Sequence, residues 1–326
     1  WWAVFFGLVV TMINLFRVDK FGESEFWLSL IKVTALVAFS VVALLICLGL
    51  IGDGGYIGTN ILLGSGGFAP HGYWSIALTM VIILVNFQGT EIIGLAAGET
   101  ADPARSIPTA VRNITWRIIA LYIIPITLLI SILPWDHASL SESVFAAALA
   151  EHGFTELAAL FSLVVLTAAI SCSNSGLYGA ARAVHALATM GMAPRVLDGL
   201  SSQGVPSRAI YASILFCWGV IGIYAVNPDA ALYTYLLALS GFSGAVAWIS
   251  ICWSQYRRRR KLEAEGQVSL LRYRMPFFPY VTLFGIWAQV CCLAFMFFVP
   301  ELRSALYLGI PMLVVPMILY RFLRHK

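Results

Sequence analysis

Long, nearly unbroken apolar runs dominate the chain, and short segments between them carry most of its charged residues. Most runs have about 16 to 25 residues, and about 20 helical residues cross the hydrocarbon core of a bilayer. The apolar-polar alternation of membrane β-barrel strands is absent, and segment 41–48 is apolar on every face. The pattern predicts an all-α polytopic membrane protein. We place nine spans in one transmembrane domain, at residues 1–16, 26–48, 75–96, 113–134, 155–189, 209–226, 230–253, 277–299 and 304–322.

Composition supports a chain whose main solvent is lipid. It is 60% hydrophobic and 11% charged, with a mean hydropathy of +0.87, whereas soluble domains are about 45–50% apolar and a quarter charged. The six cysteines lie inside predicted spans without the spacing of a metal site. We therefore expect a lipid bilayer as partner, with no metal, disulfide or cofactor.

The distribution of positive charge predicts the orientation. When the spans alternate in direction, all but two of the 20 Lys and Arg residues fall on one side, which marks the cytoplasm. The exceptions are Arg303, on the opposite side, and Lys32, within a span. The basic run 257–261 follows the end of a span, so we attribute it to topology rather than to nucleic acid or anionic lipid. The C-terminus is expected to be cytoplasmic and residue 1 external.

The beginning of the chain is unusual for a bacterial inner-membrane protein. Trp1 lies inside an apolar run, without an initiator Met or a basic region before it. An odd number of spans also leaves the two termini on opposite sides of the membrane. We therefore expect further sequence upstream of Trp1.

The third predicted span is interrupted at residues 86–91 by a glycine and several polar side chains. Gly89 suits a helix C-terminus, Thr90 suits the N-cap of a second half-helix, and Glu91 suits its first turn. Irregular backbone at membrane depth lines protein or a watery cavity, and transporters bind substrates and ions at such half-helix ends. The break is our candidate binding site. The alternative is that Glu91 caps the helix and extends to water.

Lys32 lies in the second predicted span, seven residues after Glu25 and thus about 10 Å further along a helix. An ammonium at this depth must pair, lose its proton or extend to the interface. A lysine that loses and regains a proton would couple substrate movement to the proton gradient. Both coupling and simple extension to the interface are open at this point.

Two further segments combine small and polar residues within spans, at 171–176 and at 240–244. Such residues permit close helix packing and hydrogen bonds between helices. Packing is the simpler interpretation of both segments. Ser173, Asn174 and Ser240 are nevertheless candidates to line the substrate cavity.

Residues 87–108, FQGTEIIGLAAGETADPARSIP, resemble the sixth helix and following loop of bacterial amino acid permeases of the amino acid-polyamine-organocation superfamily. Three further stretches follow in the family's order: GESEFWLSLIKV at 22–33, ISCSNSGLYGAARAVHALA at 170–188 and GVPSRA at 204–209. Family members have twelve helices, of which the first ten form two inverted repeats. The resemblance implies a LeuT-like inverted-repeat fold in which this chain supplies helices four to twelve and lacks the first three.

The resemblance also implies a site and a function. In the family the substrate lies between broken helices one and six, which assigns Phe87, Gln88, Gly89, Thr90 and Glu91 to the site. Lys32 matches the helix-five lysine of proton-coupled relatives. Segment 257–279 most resembles permeases for arginine, ornithine or S-methylmethionine. We expect proton symport of a cationic amino acid such as arginine or ornithine, with S-methylmethionine, proline, lysine and neutral amino acids as alternatives.

Two other functional classes compete with a carrier. A membrane-embedded enzyme would need clustered catalytic groups, whereas the histidines are scattered and no nucleophile-base pair is apparent. A channel would also use broken helices, but its transport would not saturate or accumulate substrate. The sequence does not indicate an oligomeric state.

Overall fold

In the part of the chain that the computed structural model describes, helices are the only regular secondary structure and no strand occurs. The described residues are 2–15, 18–52, 55–58, 60–64, 66–67, 69–91, 102–138, 143–201, 204–226, 230–271 and 273–323. Parts of two predicted spans lie outside these ranges: residues 1 and 16 of the first span and residues 92–96 of the third.

The α-helices are, in chain order, α1 Trp2–Leu15, α2 Val18–Cys47, α3 Asn60–Leu63, α4 Tyr73–Val85, α5 Pro103–Ile118, α6 Ile124–Ile132, α7 Val144–Glu151, α8 Thr155–Thr189, α9 Ser207–Val226, α10 Ala230–Ala264, α11 Tyr280–Phe295 and α12 Pro300–Leu323. A π-helical turn at Ile119–Ile123 joins α5 to α6. Short 3-10 turns occur at Trp135–His137, Arg195–Asp198 and Val268–Leu270.

Among the described helices, five are long and apolar enough to cross a membrane: Glu25–Cys47, Arg105–Ile132, Thr155–Thr189, Ser207–Val226 and Tyr235–Ala264. Shorter apolar helices cover Trp2–Asn14, Tyr280–Phe295 and Leu302–Ile318. Large apolar side chains are exposed on these helices, as at Val226 and Met317, which are 88% and 70% exposed. Such a surface is stable against lipid but not against water. The arrangement of nine spans stays a prediction.

Helix α10 extends well beyond residue 253, where the apolar run ends. Its last turns carry the basic run, in which Arg259 pairs with Glu263 at 3.0 Å and Lys261 with Glu265 at 3.7 Å. Pairs of opposite charge four residues apart stabilise a helix in water. The helix ends just before Gly266, whose φ of +67° suits glycine.

The chain forms two compact units by internal contacts. The first comprises residues 1–70 and 111–221, and its largest core joins α2, α6, α7 and α8. Phe39 lies at the centre of this core at 1% exposure, with its ring 4.9 Å from that of Phe145 in an edge-to-face arrangement. Such aromatic pairs add about 0.5–1.5 kcal/mol beyond area burial. The core fixes α2 against α8.

The second unit comprises residues 71–110 and 222–326. Its core joins α10, α11 and α12, and Leu84 of α4 packs against it. Phe242 of α10 is 5% exposed, and Met296, just after α11, is fully buried. This packing holds the end of α4 beside the middle of α10.

Replacing Gly309 by Ala should destabilise this second core. Gly309 is buried in α12, and a Cβ there would overlap the ring of Phe242. Overpacking a core costs about 1–3 kcal/mol, so the thermal unfolding midpoint of the purified protein should fall. Gly219→Ala is the matched control, because a Cβ at this helical glycine meets open space. An unchanged midpoint for Gly309→Ala would contradict the packing described here.

Candidate functional site

The polar segment after α4 interrupts the helix. The helix ends at Val85, and the N–H groups of Asn86 and Phe87 donate to the carbonyls of Ile83 and Leu84 at 2.9 and 3.1 Å. These tight bonds close the last turn four residues before Gly89, where we predicted the C-terminus. Gly89 itself has a φ of +107°, which favours glycine. Most of the predicted second half-helix, at residues 92–96 of the third span, lies outside the described residues.

The side chain of Glu91 turns back onto this break. The N–H of Gly89 donates to both of its carboxylate oxygens at 3.1 Å, and the Nε1–H of Trp248 donates to Oε2 at 3.1 Å. Glu91 is partly buried. The carboxylate is therefore held by two donors at the break.

One face of α10 supports the break through Ser240, Gly244 and Trp248, which are spaced four residues apart. Gln88 Nε2 donates to the Ser240 carbonyl at 2.6 Å, and Ser240 Oγ donates to Gln88 Oε1 at 2.8 Å. Gly244 has no side chain at the point where the Gln88 amide passes, and a Cβ there would overlap that amide. The face thus fixes the side chains of Gln88 and Glu91.

Replacing Gly244 by Ala should displace the Gln88 amide from Ser240. A buried polar group that loses its partner costs about 1–3 kcal/mol, so we expect a lower thermal unfolding midpoint and reduced substrate uptake. Gly222→Ala serves as control, since a Cβ at this helical glycine has no neighbour within 4 Å. Wild-type uptake and midpoint in Gly244→Ala would argue against this role of α10.

A second polar cluster lies in the first unit, among α1, α2 and α8. Lys32 Nζ donates to Ser171 Oγ at 2.8 Å, and Ser171 Oγ donates to Glu25 Oε2 at 2.7 Å. Asn174 Nδ2 donates to Glu25 Oε1 at 2.6 Å, and Asn14 Nδ2 donates to Asn174 Oδ1 at 2.6 Å. Ser171 and Asn174 are fully buried. Lys32 is therefore paired within the protein, through a hydroxyl, with an acidic side chain.

Comparison with known proteins identifies the family. The model of the family described as amino acid permease matches residues 1–325. The chain belongs to the amino acid permease family. This confirms the predicted family and the all-α fold of a multi-pass membrane protein.

Relatives of this family member share about a third of its residues. It is 36% identical to amino-acid permease RocC of Bacillus subtilis over 96% of the chain and 67% of the relative. The gamma-aminobutyric acid permease of the same organism is 37% identical over 92% of the chain and 64% of that relative. The lysine-specific permease LysP of Escherichia coli is 38% identical over 90% of the chain and 61% of that relative. The chain thus spans about two thirds of the length of these relatives.

The structure brings together some of the residues predicted for the site in this family member. Gln88, Gly89, Glu91 and Ser240 form one cluster in the second unit. Phe87 is partly buried next to them in the chain, whereas Thr90 is exposed. Lys32 and Asn174 belong to the polar cluster of the first unit.

Ser173 is not part of either cluster. Its side chain is exposed on α8, and its hydroxyl donates to the carbonyl of Ala169, one turn earlier on the same helix, at 3.0 Å. A hydroxyl bonded within its own helix is typical of polar residues in membrane helices.

Five residues of these clusters were not among the predicted site residues: Asn14, Glu25, Ser171, Gly244 and Trp248. Ser171 and Gly244 lie in the two segments that we attributed to helix packing. The four-residue spacing of Ser240, Gly244 and Trp248 was a usable signal for Trp248. The seven-residue spacing of Glu25 and Lys32 places both side chains on one helix face. Asn14 gave no comparable signal, because it is a single polar residue near the end of an apolar run.

Proposed function

We propose that the protein carries amino acids across the bacterial cytoplasmic membrane by proton symport, and that its substrates are cationic amino acids such as arginine or ornithine. The observation that carries this proposal is the break after α4, where Glu91 is held at the end of an apolar helix by backbone and indole donors. A carrier, rather than an enzyme or a channel, is the class to which membership of the permease family points.

The electrostatics of the break favour an ammonium group. The C-terminal end of a helix carries a partial negative charge of about half an electron, and α4 ends at Val85. The Glu91 carboxylate adds a full negative charge close by. We propose that the substrate's amine binds between the α4 end and Glu91, with Phe87, Gln88, Gly89, Thr90 and Ser240 lining the site.

The relatives support a substrate with a terminal ammonium. One is named for lysine and another for gamma-aminobutyric acid. Both of these molecules carry an ammonium at the end of an aliphatic chain, distant from the carboxylate. Arginine and ornithine also carry a cationic group at that position. Ser173 and Asn174 remain proposed cavity residues, with weaker support. Their side chains donate hydrogen bonds to Ala169 and to Glu25, not to residues of the break.

Lys32 is the proposed coupling residue. Ionisable residues within membrane spans commonly form proton relays, and Lys32 connects to Glu25 through one hydroxyl. Protonation of this cluster on the external side and release on the cytoplasmic side would link proton entry to amino acid entry. The proton gradient then supplies the driving force, without a cofactor.

The proposed topology follows the charge distribution. With nine spans and nearly all Lys and Arg residues on one side, the C-terminus lies in the cytoplasm of a bacterial cell. The break and the lysine then both lie within the membrane region.

The test is an uptake assay with the intact gene product in liposomes. Radiolabelled arginine is supplied with and without an inward proton gradient, and unlabelled ornithine, lysine, gamma-aminobutyric acid, proline and alanine are added as competitors. Gradient-dependent uptake that unlabelled arginine blocks is the expected result. If only another amino acid blocks the uptake, the proposed mechanism stands and the proposed substrate is replaced by that amino acid. Uptake without saturation or accumulation would indicate a channel, and no competed uptake of any amino acid would refute the proposal.

A further inference from the structure

The polar cluster of the first unit contains an oriented chain of donors and acceptors. An ammonium only donates hydrogen bonds, an ionised carboxylate only accepts them, and a hydroxyl does both. Lys32 Nζ donates to Ser171 Oγ, which donates to Glu25 Oε2, at 2.8 and 2.7 Å. The hydroxyl thus lies between a cation and an anion, with its proton directed toward the anion.

We propose that Glu25 is the proton acceptor for Lys32 and that Ser171 relays the proton between them, an inference that rests on the proposed proton symport. A proton leaves Lys32 Nζ and binds a lone pair of Ser171 Oγ, while the original hydroxyl proton leaves Oγ and binds a lone pair of Glu25 Oε2. One N–H and one O–H bond break, and two O–H bonds form. The products are a neutral amine, a neutral carboxylic acid and an intact hydroxyl.

The surroundings hold Glu25 in place for this transfer. Its second oxygen, Oε1, accepts from Asn174, which accepts in turn from Asn14. Ser171 and Asn174 are 0% exposed and Asn14 is 6% exposed. Three helices therefore fix the carboxylate, and both of its oxygens have a donor.

On the helices that form this cluster, the other described charged side chains are exposed or lie further along the helix. The described helix α1 contains no titratable residue, and Glu23 of α2 is exposed. On α8, Glu156, Arg182 and His185 lie at least eight residues from Ser171 and Asn174, about 12 Å or more along the helix. Arg182 is stacked on Tyr178.

The relay has a consequence for coupling. Two opposite charges in a medium of low dielectric constant attract strongly, and transfer of one proton removes both charges at once. The cluster therefore has an ionic and a neutral form with the same net charge. Lys32 can lose its proton without releasing it into the membrane.

The experiment compares variants of the intact permease in liposomes that contain a pH-sensitive dye. Proton entry is recorded on addition of arginine or lysine, and exchange of labelled for unlabelled amino acid is measured in parallel without a gradient. The variants are Glu25→Gln, Ser171→Ala and Glu25→Asp. Ser162→Ala is the control, since this hydroxyl of α8 bonds only to its own helix at Ala158 among the bonds described.

Glu25→Gln and Ser171→Ala should slow proton entry by about 100-fold, the lower end of what a positioned proton acceptor contributes. Exchange should stay within about threefold of wild type, a change below about 0.7 kcal/mol. Glu25→Asp retains a carboxylate and should recover most of the proton entry. Ser162→Ala should behave as wild type in both assays.

Several outcomes would overturn the relay. Wild-type proton entry per amino acid in Glu25→Gln and Ser171→Ala would refute it while leaving proton symport intact. Parallel loss of exchange and proton entry in both variants would show a structural role instead. Absence of substrate-induced proton entry in the wild type would refute symport and relay together. If the Glu25→Gln variant fails to insert into the membrane, the proton entry and exchange of Ser171→Ala decide between relay and structural role.

Discussion

Replacing Glu91 by Gln should reduce amino acid uptake by at least about 100-fold while the protein still inserts into the membrane. The carboxylate accepts from the Gly89 N–H and from Trp248 Nε1, whereas an amide presents its NH2 group to one of these donors. Hydrogen bonds to a charged group contribute about 1.5–3 kcal/mol each, and about 1.4 kcal/mol corresponds to a factor of ten. The variant also loses the negative charge proposed to bind the substrate's amine.

Two variants separate this effect from a general loss of charge or packing. Glu156→Gln removes a carboxylate that is exposed in the first turn of α8, and its uptake should equal that of the wild type. Trp248→Phe keeps an aromatic ring but deletes one donor to Glu91, so we expect an intermediate loss of about tenfold. Uptake by Glu91→Gln within about threefold of wild type, at equal amounts in the membrane, would refute the proposed site.

Hydropathy indicated several of the long helices of this protein but not all of their ends. The apolar segment at 155–189 corresponds to helix α8, whose described bounds are Thr155–Thr189. Helix α10, in contrast, continues to Ala264, eleven residues beyond the apolar run. Hydropathy reports where a helix meets lipid, whereas the end of a helix depends on local pairs such as Arg259 with Glu263. The end of the apolar run and the end of the helix therefore coincide only where no such ion pairs follow the apolar run.

The candidate site was partly visible in the sequence for a related reason. A run such as Gln88 to Glu91 is conspicuous within an apolar helix, because polar groups are costly in lipid. Its partners are not conspicuous, since Trp248 lies 157 residues from Glu91 in the chain. Likewise Ser171 is 139 residues from Lys32. The local sequence pattern identifies a polar side chain that is unfavourable in lipid. Only the packing of helices that are distant in the chain shows which side chains form hydrogen bonds with it.

The two polar clusters differ in what they hold. The cluster at the break combines a carboxylate with backbone and side-chain donors, which suits recognition of a small charged molecule. The cluster of α1, α2 and α8 combines an ammonium and a carboxylate within one hydrogen-bonded chain, which suits storage and release of a proton. Substitutions should therefore separate the two functions, affecting all uptake in the first case and only its coupling in the second.

Replacing Lys32 by Gln should abolish accumulation driven by a proton gradient while exchange of amino acids persists. The amide cannot donate and regain a proton in the way an ammonium does, and Glu25 loses its positive partner across Ser171. With the membrane potential clamped at zero, a gradient of one pH unit stores about 1.4 kcal/mol per proton, enough for about tenfold accumulation. In the variant, the ratio of internal to external label should fall to about one, the equilibrium value.

The control for this prediction is Lys261→Gln, which removes an exposed lysine at the end of α10 that pairs with Glu265 at 3.7 Å. Surface pairs of this kind contribute about 0–1 kcal/mol, so its accumulation should match the wild type. Full accumulation by Lys32→Gln would mean that protons enter by another route or not through this cluster at all. Loss of exchange together with accumulation would mean that Lys32 supports the structure, because a residue that acts only in coupling leaves exchange without a gradient intact.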